Sequence, residues 1–257
     1  MIHPTAIVDP GARVAPSANI GPYTIIGSEV EIGEECEFLA HVYVQGPLRM
    51  GARNRFFPYS SIGAVPQDLK FRGERSETII GDDNTFREFV TVQRGTAGGG
   101  SITSIGSGCL VMAYTHIAHD CRVGDKVILG NGVTLAGHVV IQNFANIGAF
   151  SGVHQFCRVG EHALIGGYSV VTQDVLPFSR TVAEREIKNY GLNKVGLERR
   201  GFSPEQMTPL HHAFRLLLSS KLNTTQALER IRAESTLTPE VQQLVDFIES
   251  SERGVIK

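Results

Sequence analysis

Three histidines and one carboxylate near the centre of the chain are residue types that can move a proton. They are His119, Asp120, His138 and His154. An imidazole titrates near neutral pH, so it can accept the proton of a weakly acidic hydroxyl nucleophile. An adjacent carboxylate can orient the ring and stabilise its charged form. Whether these side chains meet depends on the elements that carry them.

The segment that contains these residues repeats every six positions. From Ile105 to Val171, each sixth residue is aliphatic, and the residue four positions after it is small or β-branched. One such hexapeptide is a short strand and a turn, which cannot bury its apolar residue alone. Three hexapeptides close a triangular coil, and stacked coils share one core. The period therefore predicts a three-sided parallel β-helix.

Residues one coil apart lie above one another in such a helix. Gly137 and Gln155 follow His119 in one column, His138 follows Asp120 in the next, and the third histidine belongs to a neighbouring column. Two coil steps span roughly 10 Å. The period alone therefore predicts that the three histidines converge on one edge of the helix, with the Gly137 backbone above His119.

The same step runs through the N-terminal half with two interruptions. It continues from Ile2 to Ile62 and breaks at residues 64–79, where carboxylates would occupy core positions, so we expect a loop outside the helix. A second excursion is predicted near 97–104, where a run of glycines begins. Long loops of this kind are often functional. The β-helix is predicted to cover residues 1–177.

The last part of the chain has helical signals instead. Residues 178–257 are predicted to form an all-α C-terminal domain that caps the last coil. Capping residues and apolar spacing predict helix starts at Ser203-Pro204, Asn223 and Thr238-Pro239.

Composition excludes several function classes. The net charge of −2 offers no broad basic surface for nucleic acid. No apolar run is long enough to span a membrane, and the pattern begins at Ile2, which leaves no room for a signal peptide. Cys36, Cys109, Cys121 and Cys157 fall at the small inward position, so they are predicted to fill the core rather than form disulfides or a zinc site. A reducing, cytoplasmic setting is expected.

Five motifs resemble those of one enzyme family. They are Gln67-Asp68-Leu69-Lys70, Ala118-His119-Asp120-Cys121, Leu135-Ala136-Gly137-His138, Val153-His154-Gln155-Phe156-Cys157 and Arg199-Arg200-Gly201-Phe202-Ser203. In this order the chain resembles, over nearly its whole length, the UDP-N-acetylglucosamine O-acyltransferase family, which catalyses the first step of lipid A biosynthesis. The hexapeptide repeat alone would not single out this family, because unrelated functions share it.

The resemblance implies a fold, an assembly and a reaction. The fold implied is a left-handed parallel β-helix, assembled as a homotrimer with active sites between adjacent helices. The reaction implied is transfer of an (R)-3-hydroxyacyl chain from acyl carrier protein to the glucosamine 3-hydroxyl of UDP-N-acetylglucosamine. No metal and no cofactor would take part.

The resemblance also implies roles for single residues. His119 would be the general base, Asp120 would orient it, and the Gly137 amide would receive the charge that develops on the thioester carbonyl. Gly167 matches a position where a larger side chain blocks the acyl groove, which implies a relatively long acyl chain. Substrate contacts are implied for Asp68, Lys70, His116, His138, His154, Gln155, Asn193, Arg199 and Arg200. Of these, Asn193 and Arg200 would contact the nucleotide, and Arg199 is a neighbouring cation available to its phosphates.

The chain departs from the family pattern at three places. Gln93 replaces a histidine, Val195 replaces a glutamate that helps hold the nucleotide, and residues 183–186 read Ala-Glu-Arg-Glu in place of Gly-Asn-x-Ala. The acceptor sugar could therefore carry an amino group at C3, which would give an amide product. Two other hypotheses stay open: a zinc-dependent, carbonic-anhydrase-like hexapeptide protein, and a non-enzymatic β-helix used for binding or assembly.

Overall fold

Most of the chain winds into a three-sided coil of short parallel strands. The computed structural model describes residues 1–183, 187–219 and 222–257. Within these residues, sheet one contains β1 (Ile7–Val8), β4 (Ile25–Ile26), β7 (Tyr43–Val44), β10 (Ser61–Ala64), β13 (Thr91–Gln93), β16 (His116–Ile117), β19 (Thr134–Leu135), β22 (Gly152–Val153) and β25 (Val170–Val171). Sheet two contains β2 (Arg13–Val14), β5 (Val30–Ile32), β8 (Leu48–Met50), β11 (Glu77–Ile80), β14 (Ile102–Ile105), β17 (Arg122–Val123), β20 (Val140–Ile141) and β23 (Arg158–Val159). Sheet three contains β3 (Asn19–Ile20), β6 (Glu37–Phe38), β9 (Arg55–Phe56), β12 (Thr85–Phe86), β15 (Leu110–Val111), β18 (Ile128–Leu129), β21 (Asn146–Ile147), β24 (Leu164–Ile165), β26 (Ser179–Ala183) and β27 (Ile187–Leu192).

The strands of successive coils pair in the register of the six-residue pattern. His116 and Ile117 of β16, for example, pair in parallel with Thr134 and Leu135 of β19. Ile117 and Leu135, the second residues of these two strands, are fully buried in a continuous apolar core. The first residue of each lies outside that core. The hexapeptide coil predicted from the period is therefore confirmed.

Three columns of turns join the sheets. The first corner, between sheets one and two, comprises residues 118–121, 136–139 and 154–157. The second corner comprises residues 124–127, 142–145 and 160–163, and the third comprises 112–115, 130–133, 148–151 and 166–169. One residue of each of these turns has a left-handed backbone, among them Asp120 with φ 61° and His138 with φ 63°. This conformation costs about 1–2 kcal/mol for a residue other than glycine, and the core burial that the turns allow offsets it.

Both excursions leave the coil at the first corner, in the two coils directly below residues 118–121. Each is shorter than predicted, because β11 begins at Glu77 and β14 at Ile102, so residues 77–79 and 102–104 are strand rather than loop. Thr78 and Thr103 pair with each other across these strands and are buried. The pattern missed them because threonine, not an aliphatic residue, takes the buried position.

A hairpin, rather than a helix, follows the last coil. β26 pairs in parallel with β24 and antiparallel with β27. The prediction of an all-α region from residue 178 is therefore wrong for these two strands. They extend sheet three and cover the edge that β24 would otherwise expose.

Four α-helices then complete the described chain: α1 (Lys194–Arg199), α2 (Pro204–Ser219), α3 (Thr224–Glu234) and α4 (Pro239–Glu249). The three predicted helix starts are confirmed, and α3 has a full capping box in which the Asn223 side chain accepts from the Gln226 amide. The apolar faces of the helices form a second core. Arg158 of β23 ties this region to the coil, since it pairs with Asp174 at 2.8 Å and donates to the hydroxyl of Ser250, which caps the C-terminus of α4.

The cysteines occupy the inward positions that the pattern assigned to them. All four are buried, and none forms a disulfide. In the described part of the chain, no helix has the length and apolar character needed to cross a membrane.

Candidate active site

The centre of the first corner is an imidazole–carboxylate pair. The Asp120 side chain has no exposed surface, and its Oδ2 lies 2.8 Å from Nδ1 of His119. An ionised carboxylate can only accept a hydrogen bond, so Nδ1 of His119 carries a proton and donates it. In the neutral ring this leaves Nε2 as the unprotonated nitrogen. The His119 side chain is 15% exposed, so a ligand can reach it.

Gly137 lies against the same imidazole ring. A Cβ at this position would be 2.5 Å from Cε1 and 2.8 Å from Nε2 of His119, so only glycine leaves the ring its place. Within the described residues, the Gly137 amide donates no hydrogen bond. A free hydrogen-bond donor therefore lies beside a free proton acceptor.

Residues of the second excursion and of β14 hold Asp120 from the coil below. Thr96 donates to the carboxylate twice, from its amide to Oδ1 at 2.8 Å and from its hydroxyl to Oδ2 at 2.5 Å. The Asp120 amide donates to the hydroxyl of Thr103 at 2.7 Å. Neither contact was predicted from the sequence, since Thr96 lies outside the coil, where the six-residue period assigns no neighbours, and Thr103 falls in the predicted loop. Only Thr103 gave a signal, as a hydroxyl at a core position.

Two further imidazoles flank the pair. The His138 ring stands at right angles to that of His119, with centroids 5.2 Å apart, and its Nε2 lies 3.9 Å from Oδ2 of Asp120. His116 lies on β16, with Nδ1 2.7 Å from the hydroxyl of Thr91. Burial lowers the pKa of both His116 and His138 below the usual value for histidine. Both rings are therefore neutral at pH 7.

The coil above the pair presents an open surface. His154, Gln155 and Phe156 are all exposed at the first corner. Phe156 stacks on His138 with centroids 4.5 Å apart, while Nδ1 of His154 lies 3.2 Å from the Gln155 carbonyl oxygen. These side chains can therefore meet a ligand without rearrangement of the core.

The first excursion brings two opposite charges towards His138. Beyond the dominant effect of burial, the charge of Asp68 raises the pKa of His138 and the charge of Lys70 lowers it. The Lys70 amide donates to the Asp68 carboxylate at 2.9 Å, which shapes the tip of the loop. Glu74 of this excursion accepts from the Ala97 amide of the second one at 3.3 Å. The two excursions therefore touch each other, and both border the site.

The residues expected to bind the nucleotide lie at the second corner instead. Arg200 donates to the Phe144 carbonyl at 2.9 Å, and its guanidinium lies 4.8 Å from the centre of the Phe144 ring. Arg199 is exposed at the end of α1, and Asn193 at its start is buried, with its amide donating to the His162 carbonyl at 3.0 Å. One chain therefore does not bring these three residues to the imidazole–carboxylate pair.

A buried histidine lies beneath Arg200. His162 stacks on Phe144 and Phe178, with centroids 4.6 Å and 5.8 Å away, and meets the edge of Phe202. Its Nδ1 has no hydrogen-bond partner. Burial, with a smaller effect of the nearby Arg200, lowers the pKa of His162 to about 4.

The third corner carries Gly167 and a column of exposed rings. A Cβ on Gly167 would be 3.1 Å from the Ala149 carbonyl oxygen, a tight contact that leaves little room for a side chain. Below it, rings stack along the corner at centroid distances of 4.9–5.1 Å; they belong to Tyr23, His41, Tyr59, Phe89 and Tyr114.

The departures from the family pattern fall in different places. Gln93 is buried at the end of β13, and its Oε1 has no hydrogen-bond partner. Val195 is exposed in the first turn of α1. Of the third departure, residues 184–186 lie outside the described residues.

By distance alone, three groups at the first corner could hold a metal ion. Ligand atoms of His119, Asp120 and His138 lie within 4.8 Å of one another. However, His119 and Asp120 are hydrogen-bonded to each other, and both carboxylate oxygens of Asp120 also accept from Thr96. A metal would have to replace these bonds. The arrangement fits proton transfer better than it fits the zinc-dependent alternative.

Comparisons with known proteins agree on one family. The model described as Udp N-acetylglucosamine O-acyltransferase, Domain 2, matches residues 174–256, and the bacterial transferase hexapeptide model (six repeats) matches residues 102–137. The acyl-[acyl-carrier-protein]–UDP-N-acetylglucosamine O-acyltransferase of Stenotrophomonas maltophilia strain R551-3 is 44% identical over 100% of this chain and 97% of its own. That of Anaeromyxobacter sp. strain Fw109-5 is 45% identical over 100% and 99%. The chain belongs to the UDP-N-acetylglucosamine O-acyltransferase family.

Solved structures of acyltransferases from this family share the fold. The UDP-N-acetylglucosamine acyltransferase of Francisella novicida has a TM-score of 0.96 and 40% identity, over 100% of this chain and 94% of its own. That of Bacteroides fragilis has a TM-score of 0.97 and 40% identity, over 100% of both chains. The predicted left-handed parallel β-helix with a helical C-terminal region is confirmed.

Acid should destabilise this family member through His162. Its pKa is about 4 in the folded chain and about 6.5 when unfolded. Below pH 6.5 the unfolded chain therefore binds a proton that the folded chain binds only near pH 4. This difference removes up to about 3 kcal/mol from the free energy of unfolding between those two pH values. The variant His162→Phe keeps the stacking and should flatten this decline, as measured by urea unfolding at a series of pH values.

His41→Phe is the matched control for this prediction. His41 is also stacked between two rings, Tyr23 and Tyr59, but it is exposed at the third corner. Its replacement should leave the pH dependence of unfolding unchanged. If His162→Phe unfolds with the same pH dependence as the wild type, the acid sensitivity belongs to another group.

Proposed function

We propose that this chain transfers a 3-hydroxyacyl group from acyl carrier protein to the glucosamine 3-position of UDP-N-acetylglucosamine, the first step of lipid A biosynthesis. Full-length relatives named for acyl transfer between these two partners support the substrates. One observation carries the proposal: Nε2 of His119, oriented by the buried Asp120, lies beside the free amide of Gly137.

In this mechanism His119 is the general base. Its Nε2 accepts the proton of the sugar 3-hydroxyl while the hydroxyl oxygen attacks the carbonyl carbon of the thioester. Asp120 accepts from Nδ1 throughout and stabilises the imidazolium that forms. General-base catalysis of this kind contributes roughly 10²–10⁴-fold to the rate.

The Gly137 amide stabilises the charge that the attack creates. As the carbonyl oxygen becomes negative, the amide donates to it, and one such donor is worth roughly 10²–10³-fold in kcat. When the tetrahedral intermediate collapses, the carbon–sulfur bond breaks and the leaving sulfur takes the proton back from His119. The products are an ester and the free thiol of the carrier, and the catalytic pair returns to its starting form.

Groups around the pair provide contacts to the sugar and its neighbouring phosphate. Asp68 accepts hydrogen bonds from sugar hydroxyls, and Lys70 on the same loop pairs with a phosphate. His138 stays neutral beside the reacting atoms, and the exposed His154 and Gln155 line the coil above them. The opposite charges of the loop therefore match the two ends of a sugar phosphate.

The nucleotide end is assigned to the second corner of a neighbouring chain. Arg199 and Arg200 supply cations for a diphosphate, but in one chain they lie a corner away from His119. In a threefold-symmetric homotrimer, the first corner of one β-helix can face the second corner of the next, so that each site is made from two chains. The separation of these residues within one chain supports the proposed homotrimer.

The acyl chain is assigned to a groove that Gly167 borders. A glycine at this position, where a larger side chain would block the groove, supports a relatively long acyl group. The Cβ of any other residue would crowd the Ala149 carbonyl there.

A 3-amino sugar nucleotide is a second candidate acceptor. It is favoured by the departures at Gln93 and Val195, of which Gln93 leaves a buried oxygen without a partner near the first corner. The same base can remove a proton from the attacking amine, which gives an amide. Mass spectrometry of the products formed from both nucleotides distinguishes the two acceptors.

The cytoplasm is the compartment that we propose for the reaction. Four buried, reduced cysteines fit a compartment in which thiols stay reduced.

His119→Gln should abolish acyl transfer and leave the fold intact. Glutamine can occupy the site and form hydrogen bonds, but it cannot accept the proton, so kcat should fall by roughly 10²–10⁴-fold. The assay combines the enzyme with 3-hydroxyacyl carrier protein and either sugar nucleotide, with product detected by mass spectrometry. His3→Gln, an exposed histidine at the far end of the coil, should retain wild-type turnover. Wild-type turnover by His119→Gln would exclude His119 as the base.

Gly137→Ala should reduce acyl transfer because its Cβ would displace the His119 ring. We expect a fall in kcat of at least about 10², the size of effect seen when one oxyanion donor is lost. Gly152→Ala, in β22 of the next coil, is the control, since its Cβ would meet no described atom within 4 Å. Equal kcat values for these two variants would show that the contact between Gly137 and His119 has no part in the reaction.

Two variants that are each inactive alone should regain activity when their chains are mixed in the same trimer. In a composite site, a chain with His119→Ala still offers its second corner, and a chain with Arg200→Ala still offers its first. A site is intact only where an Arg200→Ala chain supplies the first corner and a His119→Ala chain supplies the second. Refolding an equal mixture of the two should therefore give about one quarter of the wild-type turnover. If both corners of a site came from one chain, the mixture would show only the sum of the two variants alone.

A further inference from the structure

The Asp120 carboxylate is enclosed by a segment that lies outside the repeat. His138 and Phe156 occupy the equivalent position in the next two coils, and their side chains are 21% and about half exposed. Asp120, in contrast, is buried. A Cβ on Gly99 would lie 2.1 Å from Cγ of Asp120, so the second excursion passes directly over the carboxylate. The burial of Asp120 is therefore created by the excursion and not by the coil.

Thr96 supplies two of the hydrogen bonds that this buried carboxylate accepts. Its amide binds Oδ1 at 2.8 Å and its hydroxyl binds Oδ2 at 2.5 Å. Thr96 also precedes a short 3-10 helix, residues 97–99, yet its side chain makes no capping hydrogen bond to that helix. The hydroxyl, which is buried with the rest of the residue, is therefore directed to Asp120 instead.

Two imidazoles compete for the same oxygen of Asp120. Nδ1 of His119 lies 2.8 Å from Oδ2, and Nε2 of His138 lies 3.9 Å from it. A modest rotation of the carboxylate would change which ring it binds. The two bonds from Thr96 fix both oxygens and so oppose that rotation.

We propose that Thr96 is a positioning residue of the reaction, which fixes the Asp120 carboxylate so that it orients His119 and not His138. The inference rests on the function proposed above. Thr96 touches neither substrate in this mechanism. It acts on the proton transfer only through Asp120, so its effect belongs in kcat and not in KM.

Thr96→Val tests this role, because valine has nearly the same shape and keeps the amide but lacks the hydroxyl. Loss of a partner that orients a metal-ligating histidine typically costs 10- to 100-fold, and a partner that orients a general base should have an effect of similar size. We therefore expect kcat to fall by about 10- to 100-fold with KM unchanged. Thr96→Ser, which retains the hydroxyl, should stay within about threefold of the wild type.

Thr115→Val is the matched control for the loss of a buried hydroxyl. Thr115 is as buried as Thr96, and its hydroxyl donates to the Gly130 carbonyl at 3.1 Å, remote from Asp120. This variant can lose stability but should keep the wild-type kcat. An equal fall in kcat for Thr96→Val and Thr115→Val would reduce the role of Thr96 to stability and overturn the proposal.

A double-mutant cycle separates positioning from a second, independent effect. Once Asp120→Asn has removed the carboxylate, Thr96→Val has nothing left to position, so the double variant should have the kcat of Asp120→Asn alone. A further fall in the double variant, by the factor seen in the wild-type background, would contradict the proposal.

Nitrogen NMR of the histidine rings gives a readout that does not require turnover. In the wild type, His119 should be held as the Nδ1-protonated tautomer, and in Thr96→Val its signals should show a mixture of tautomers. If the wild type shows no acyl transfer but Thr96→Val still changes the tautomer of His119, the proposed function is refuted and the positioning role is retained. Unchanged His119 signals in an active Thr96→Val enzyme would refute the positioning role alone.

Discussion

Burial of one aliphatic side chain in every six residues is the constraint on which the structure depends. No single strand of two residues could be stable alone, and each is held by parallel pairing with the coils above and below it. Because the inner residue of each step is enclosed, a shift of register would expose the whole column. The coil therefore separates equivalent corner residues of successive coils by one strand spacing, about 4.8 Å. That rigidity brings the Gly137 backbone against the His119 ring.

A regular coil can stack side chains but cannot bury those at its corners. The ring column at the third corner shows the ordinary outcome, since Tyr23, Tyr59 and Tyr114 stay more than half exposed although they are stacked. A carboxylate that orients a base needs a drier position, because water competes for its hydrogen bonds and weakens its effect. Both interruptions of the repeat occur at the first corner, below His119, and the second one encloses Asp120. The irregular segments thus provide the burial of the carboxylate that a regular repeat cannot provide.

The six-residue period was sufficient to predict the coil, its register and the contact between His119 and Gly137 within one column, because these follow from repetition alone. Helix starts at Asn223 and Thr238 were predictable since capping is local. The hairpin formed by β26 and β27 was not, because it depends on pairing with the exposed edge of sheet three. The bonds from Thr96 to Asp120 were not predictable either. They join a loop to a corner across 24 residues, and no spacing rule relates the two. The position of Arg200 at the second corner depends on how the helical region docks on the coil, which its own motif does not encode.

The proposed division of the site between corners matches what each task requires. Proton transfer and oxyanion binding demand placement within about 0.5 Å. The groups assigned to these two tasks lie on successive coils and on one loop of a single chain. Pairing with a diphosphate is a longer-ranged electrostatic interaction that tolerates larger displacements, and Arg199 and Arg200 can be supplied by a separate body. A chain built in this way completes its chemical centre when it folds. The affinity for the nucleotide would then depend on assembly, so that the catalytic pair meets its substrate only after two chains have come together.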